Sequence, residues 1–276
     1  MTIESSRDPD AFRDFEHTGW EAVSSGYVRH FVRLTAQSVP AILDAARVTM
    51  GVRLLDVCTG PGIVAGAALE RGAEVVGLDF SGKQVEIAKR NVPGAEFKQG
   101  DAQALPFEDE SFDAVVCGYG IIHLPTPEKA LSEMHRVLRP GGYFAASVWQ
   151  APAPTNGFGV LFEAIKKHGD LTVPLPHGPD FFQFSEPGKF VAALEDTGFT
   201  DTTVETVEQT WELDDPLGIM AAILEGAVRT RGLLLAQTDD VRSAIATEVA
   251  KGTQHYRSSD GIYRVPMPAL VGSGRK

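Results

Sequence analysis

The sequence predicts an α/β protein built on a doubly wound, mostly parallel sheet. Two observations carry this reading. Between residues 52 and 149, short apolar runs of strand length alternate with amphipathic helical segments, the order expected of βαβ units. Glycine or proline marks most changes of period, at Thr59-Gly-Pro-Gly62, Gly72, Pro93 and Pro140-Gly-Gly142.

The elements follow in order. Residues 1–50 read as helical, with apolar positions near helical spacing from Tyr27 to Leu34 and again over Val39–Ala46. Val52–Cys58 is a nearly continuous apolar run, as a buried parallel strand requires, and it ends in the glycine turn. Helix Ile63–Glu70, strand Ala73–Asp79, helix Gly82–Asn91, and strands Ala95–Gln99 and Phe112–Cys117 come next. Thr126 and Pro127 suit the start of a helix running to Leu138, and Tyr143–Trp149 is a fifth strand. Beyond it the pattern loosens. We expect helices near Phe158–His168 and Pro187–Thr197, one strand over Thr202–Leu213, helix over Asp215–Ala250, and a strand-like end at Gly261–Gly272. Three parts are expected: an N-terminal helical segment (1–50) covering the site, a core (51–150), and a remainder (151–276). The stretches at about 151–184 and 214–258 exceed a minimal sheet and read as lid insertions over the C-terminal strand ends.

Composition narrows the function classes. Hydrophobic residues are 43% and charged residues 22% of the 276, ordinary globular usage. The net charge of −12 argues against nucleic acid as partner, since phosphate binding needs a basic face. There is no apolar run of membrane-crossing length and no basic-then-apolar start. With only Cys58 and Cys117 as cysteines, the cytoplasm is the expected compartment. No Cys/His spacing suits zinc, so no metal is expected.

The informative motif is Leu54-Leu-Asp-Val-Cys-Thr-Gly-Pro-Gly62. A glycine turn between strand and helix lets backbone N–H groups approach a polar ligand closely. Alone it is shared with dinucleotide-binding folds, as is Asp79 at the end of the second strand, where a carboxylate can accept ribose hydroxyls. Two further blocks discriminate: Gly100-Asp-Ala-Gln leading through Leu105-Pro-Phe into Phe112-Asp-Ala-Val, and Arg136-Val-Leu-Arg-Pro-Gly-Gly-Tyr-Phe.

In this order and spacing, the four segments resemble the class I S-adenosylmethionine-dependent methyltransferases, most closely the ubiquinone/menaquinone-biosynthesis-like (type 11) group. The resemblance covers roughly residues 50–150. It implies a seven-stranded Rossmann-like sheet with an antiparallel C-terminal strand, and S-adenosylmethionine as cofactor with S-adenosylhomocysteine as product. It implies that Thr59, Gly60 and Gly62 cradle the amino-acid part, with Asp56 beneath the loop. Asp79 would hold the ribose and Phe80 the adenine, while Asp101 and Ala102 meet the adenine edge. Cys117, Gly118 and Tyr119 would line the sulfonium, and Tyr27 would close over the methionine end. Cys58, Ser81 and Gly100 complete the expected cofactor set. The group usually has glycine where this chain has Cys58, and cysteine does not take positive φ cheaply.

Plainer readings stand beside these. Asp56 could be a structural cap, and Asp101 could cap its own turn. His123 and Tyr119 are the candidate catalytic residues; for His123, packing under the cofactor outweighs a role as base. Cys58 and Cys117 lie at neighbouring strand ends and are expected to approach as small fillers. The expected reaction is in-line methyl transfer to an O, N or C nucleophile of a small, apolar or aromatic acceptor, for which positioning supplies most of the rate. Homodimerisation is compatible with the class. The alternatives are a cofactor-binding protein without catalysis, and a nicotinamide or flavin oxidoreductase; the latter predicts a fuller G-x-G-x-x-G turn than Gly60-Pro-Gly62 followed by Ile63 and Val64.

Overall fold

The structure, a computed structural model, describes residues 8–276, so the first seven residues of the 1–50 segment lie outside the described part. Helix α1 (Pro9–His30) starts at Asp8, whose side chain accepts from the backbone of Asp10 and Ala11, and short helices α2 (Val32–Thr35) and α3 (Val39–Ala45) follow. The alternating core is β1 (Arg53–Val57), α4 (Ile63–Glu70), β2 (Glu74–Asp79), α5 (Gly82–Asn91), β3 (Glu96–Gln99), β4 (Phe112–Gly118), α6 (Pro127–Val137) and β5 (Leu138–Trp149). The remainder is α7 (Gly157–His168), α8 (Pro187–Thr197), β6 (Thr200–Val207), β7 (Thr210–Leu213), α9 (Gly218–Gly226), α10 (Arg229–Leu235), α11 (Asp239–Thr253), β8 (Tyr263–Pro266) and β9 (Ala269–Arg275).

Seven strands form one sheet in the order β3-β2-β1-β4-β5-β9-β6. β9 runs antiparallel between β5 and β6, and the pairs from β3 to β5 are parallel. Successive residues of a strand face opposite sides. Leu54, Val75, Ala114 and Ala145 accordingly join α3, α4 and α5 in one core, while Leu55, Val76, Val115 and Ala146 join α6 and α8 in the other. Both faces are covered, which is why these strands read as continuous apolar runs. The strand order reverses at β1 and β4, and a doubly wound sheet opens its ligand crevice at that point.

The C-terminal half departs from the sequence reading in three places. The expected strand Thr202–Leu213 is two strands: β6 joins the large sheet and β7 pairs with β8 in a separate two-stranded sheet. The break sits at buried Gln209, whose backbone oxygen accepts from Met267 N at 2.8 Å and whose Nε2 donates to Leu34 O at 3.2 Å. The stretch Gly261–Gly272 likewise spans β8 and part of β9, and the helical stretch Asp215–Ala250 is three helices, α9 to α11. Among the described residues no helix is long and apolar enough to cross a membrane.

Candidate active site

A cleft opens where β1, β2 and β4 end, and α1 closes over it. Its lining runs without a break from the glycine turn at Thr59 and Gly60 to Trp149, Phe158 and Phe181. One end is a polar cradle. Asp79, last residue of β2, is buried and ties the glycine turn to its own strand: Oδ2 accepts from Gly60 N at 2.8 Å and Oδ1 from Ser81 N at 2.9 Å. Gly60 has φ +54°, and a Cβ built there meets nothing within 4 Å, so its bare backbone faces open space. Burial, with the neighbouring Glu21 charge, pushes the Asp79 carboxyl up to about 6, against the two backbone donors and His17. Asp101 Oδ1 accepts from Gln103 N at 2.8 Å, capping its turn as the plainer reading had it, while Asp101, Gly100, Ala102 and Phe80 also line the cleft.

Beneath the turn lies Asp56, 1% exposed. Its Oδ2 accepts from Thr59 Oγ1 at 2.6 Å and from Ala65 N at 3.1 Å, joining β1, the turn and α4; its Oδ1 is buried without a hydrogen-bond partner. Burial pushes this carboxyl up from the ordinary 3.8 to about 7, partly offset by the bonds from Thr59 and Ala65. A native value raised above the unfolded one means stability present at low pH and lost as pH rises through about 7. Asparagine at this position does not titrate. The Tm advantage of wild type over Asp56→Asn is therefore expected to be larger at about pH 5 than at about pH 8. An advantage that grows with pH would contradict the burial of a charged group here.

Cys58 stands in the left-handed region, φ +56°, where the resembled group has glycine. Its side chain fills the notch above Gly120, where an added Cβ would lie 2.3 Å from Cys58 Cβ and 3.0 Å from Cys117 Sγ. The two thiols meet as expected, both free, and the contact with Cys117 together with burial pushes the Cys58 thiol up, away from thiolate chemistry. Left-handed backbone costs an L-residue about 1–2 kcal/mol, and a β-branched one more. Cys58→Gly should hold stability within about 1 kcal/mol of wild type, while Cys58→Val should lose about 2 kcal/mol in denaturant titration. Valine as stable as glycine would remove the strain argument.

Three expected cofactor residues sit elsewhere. Ser81 is fully buried at the N-cap of α5, accepting from Gln84 N and donating to Glu21 Oε1 at 2.6 Å, with no face on the cleft. Gly62 caps α4 at φ +85°, packed on Val92 and Ala88 of the α5 region. Cys117 is fully buried in the core facing α6, because the two-residue period turns it under the sheet while Gly118 lines the cleft. Tyr119, a candidate catalytic residue, lines the cleft with its hydroxyl already engaged. Its hydroxyl donates to Gln209 Oε1 at 2.9 Å and lies 3.0 Å from Ser38 Oγ, and burial pushes the phenol above its ordinary range. Its ring lies against Trp149, with centroids 4.2 Å apart at 32°.

The other end of the cleft is aromatic. Trp149, Phe158 and Phe181 line it with Tyr27 and Trp20 of α1 and Ile223 of α9. His123 follows β4 in a single turn whose Ile121 and Ile122 are buried, and its Nδ1 is 3.0 Å from Glu16 Oε2. Glu16, Trp20 and Arg229 escaped the sequence reading. The available signal was spacing: Phe12, Glu16, Trp20 and Tyr27 fall on one face of α1, with an acid inside an apolar stripe.

Residues 55–146, a third of the chain, match the family described as methyltransferase domain. Demethylmenaquinone methyltransferase of Renibacterium salmoninarum is 39% identical over 132 residues, 48% of this chain and 53% of that protein. The chain thus spans about half the length of that relative. Among solved structures, phosphoethanolamine N-methyltransferase 2 of Haemonchus contortus in complex with S-adenosyl-L-methionine matches with TM-score 0.57 and 19% identity, over 95% of this chain and 59% of that one. The [4+2]-cyclase SpnF matches with TM-score 0.52 and 19% identity, over 87% of this chain and 80% of that one. At these identities the structures share the fold, and a cyclase among them shows that the fold alone does not name a reaction.

Proposed function

We propose that this chain transfers the methyl group of S-adenosylmethionine to a nucleophilic atom of a small, apolar or aromatic acceptor. The observation that supports this most is one continuous cleft whose polar end suits an adenosyl group and whose aromatic end suits a second molecule, within a methyltransferase-domain sequence. The residues fit the cofactor. Asp79 keeps unused lone pairs for ribose hydroxyls, since each carboxylate oxygen accepts only one bond from the chain. The bare Gly60 backbone admits the amino-acid portion, and Asp101 with Ala102 stands where the adenine edge would lie. When bound, the cofactor supplies a methyl carbon already made electrophilic by its sulfonium.

The chain's own part is then to bind, orient and exclude water. Its aromatic walls hold a flat acceptor in line and α1 covers the cleft, an arrangement in which positioning carries most of the rate. On this reading α1 and the segments 151–184 and 214–258 form the cover over the core, and the −12 charge speaks against nucleic acid as acceptor. The test is incubation with methyl-¹³C-labelled cofactor and a panel of hydroxylated aromatics that includes reduced demethylmenaquinone. We expect one labelled methyl group on at least one member. S-adenosylhomocysteine release no faster than without protein, across the panel, would leave a binding protein only.

A further inference from the structure

The acceptor end of the cleft contains a charge that methyl transfer by positioning does not need. Glu16, on α1, is fully buried. Its Oε2 accepts from Trp20 Nε1 at 3.1 Å and lies 3.0 Å from His123 Nδ1, while Oε1 is buried with no hydrogen-bond partner. Among the described residues no lysine or arginine forms an ion pair with it; the guanidinium of Arg229 on α10 acts on it from beyond contact. An isolated buried carboxylate is costly, and such groups persist where they hold a partner in place.

Here the partner is an imidazole with one defined orientation. Nδ1 faces a carboxylate oxygen, which favours the neutral tautomer with its proton on Nδ1. Nε2, on the opposite side of the ring, makes no hydrogen bond among the described residues, and His123 lines the cleft. The ring is clamped edge-on between Trp20, at 5.0 Å, and Phe181, at 5.5 Å. Its backbone is held by His123 N donating to Gly120 O at 3.0 Å. Arg229 of α10 is the charged group that acts on Glu16 at this end, while Arg13 of α1 stands by Phe80 and Asp101 at the polar end.

We propose that Glu16 is the positioning residue of a Glu16–His123 pair in which His123 Nε2 accepts the proton of a neutral, hydroxyl-bearing acceptor such as a phenol or enol. This rests on the methyl-transfer reading above. As the acceptor O–H bond breaks, its proton joins Nε2 and its electron pair forms the new bond to the methyl carbon. The C–S electron pair stays on sulfur, and the positive charge lost there reappears on the imidazolium, facing the Glu16 carboxylate. The proton then passes from Nε2 to water.

The test is two-bond ¹H–¹⁵N correlation spectroscopy on protein with ring-labelled histidine, without cofactor, using His123→Asn for assignment. Wild type is expected to show neutral His123 as the Nδ1–H tautomer. Glu16→Gln, whose amide oxygen still accepts, should keep it, and Glu16→Leu should invert it to Nε2–H. A wild-type Nε2–H tautomer, or a ratio unmoved in Glu16→Leu, would overturn the pair; the wild-type reading decides even if Glu16→Leu does not fold. On any hydroxylated panel member that is methylated, His123→Asn should lower kcat by about 100-fold with KM little changed. An unchanged kcat would overturn the proton-accepting role. The Nδ1–H tautomer without turnover on any acceptor would keep the pair and remove the methyl-transfer reading beneath it.

Discussion

Asp79→Ala is expected to weaken S-adenosylhomocysteine binding by at least about 100-fold, roughly 3 kcal/mol. Hydrogen bonds to a charged group contribute about 1.5–3 kcal/mol each, and the ribose offers two hydroxyls to this one carboxylate. The substitution also frees Gly60 N–H and Ser81 N–H, so the turn loses its tie to β2. The wild-type protein should show the same dependence in its pH response. With the Asp79 carboxyl pushed up to about 6, affinity should fall as pH drops through that value, because a protonated acid no longer accepts from both hydroxyls. Binding by Asp79→Ala within about threefold of wild type would show that the ribose is not held here.

Gly26→Ala is expected to cost about 2 kcal/mol of stability, lowering Tm by roughly 4–8 °C. Gly26 lies where α1 crosses α9, and a Cβ there would stand 1.8 Å from the backbone oxygen of Glu225. Backbone cannot rotate aside as a side chain can, so the helices must part. Overpacking of this kind costs about 1–3 kcal/mol or more, offset by the roughly 1 kcal/mol alanine gains in helix propensity. Gly226 and Gly19 make the same approach from either side, against Tyr27 N and Val228 Cγ1. Because α1 carries Glu16, Trp20 and Tyr27, separation should also weaken ligand binding. Gly188→Ala is the control: its Cβ meets nothing within 4 Å in α8, and it should be neutral or gain up to about 1 kcal/mol. Equal Tm values for the two variants would mean that α1 does not sit closely on α9.

How much of this was legible in the sequence varies along the chain. The helices Ile63–Glu70, Gly82–Asn91 and Pro187–Thr197 end where read, because glycine or proline stops each one locally. Strands β1, β2 and β4 were legible because burial on both faces leaves nearly unbroken apolar runs. Local pattern does not reveal which residue near a strand end faces the cleft: Gly118 lines it, while Cys117 and Ser81 are buried away from it. The break at Gln209 was hidden because its cause, bonds to Leu34 and Met267, is distant in sequence. Glu16 was missed for the same reason: it reads as one more surface acid of an amphipathic helix until His123, 107 positions later, is brought to within 3.0 Å. Cys58 is the opposite case. Its departure from glycine was visible in the sequence, and the backbone there is indeed left-handed.

Whether the cleft is built for S-adenosylmethionine is decided by titration calorimetry of the wild-type chain with S-adenosylhomocysteine and, separately, with NADH. One molecule of S-adenosylhomocysteine should bind per chain, and NADH should not bind. Binding of NADH, or no binding of S-adenosylhomocysteine, would contradict that reading of the cleft.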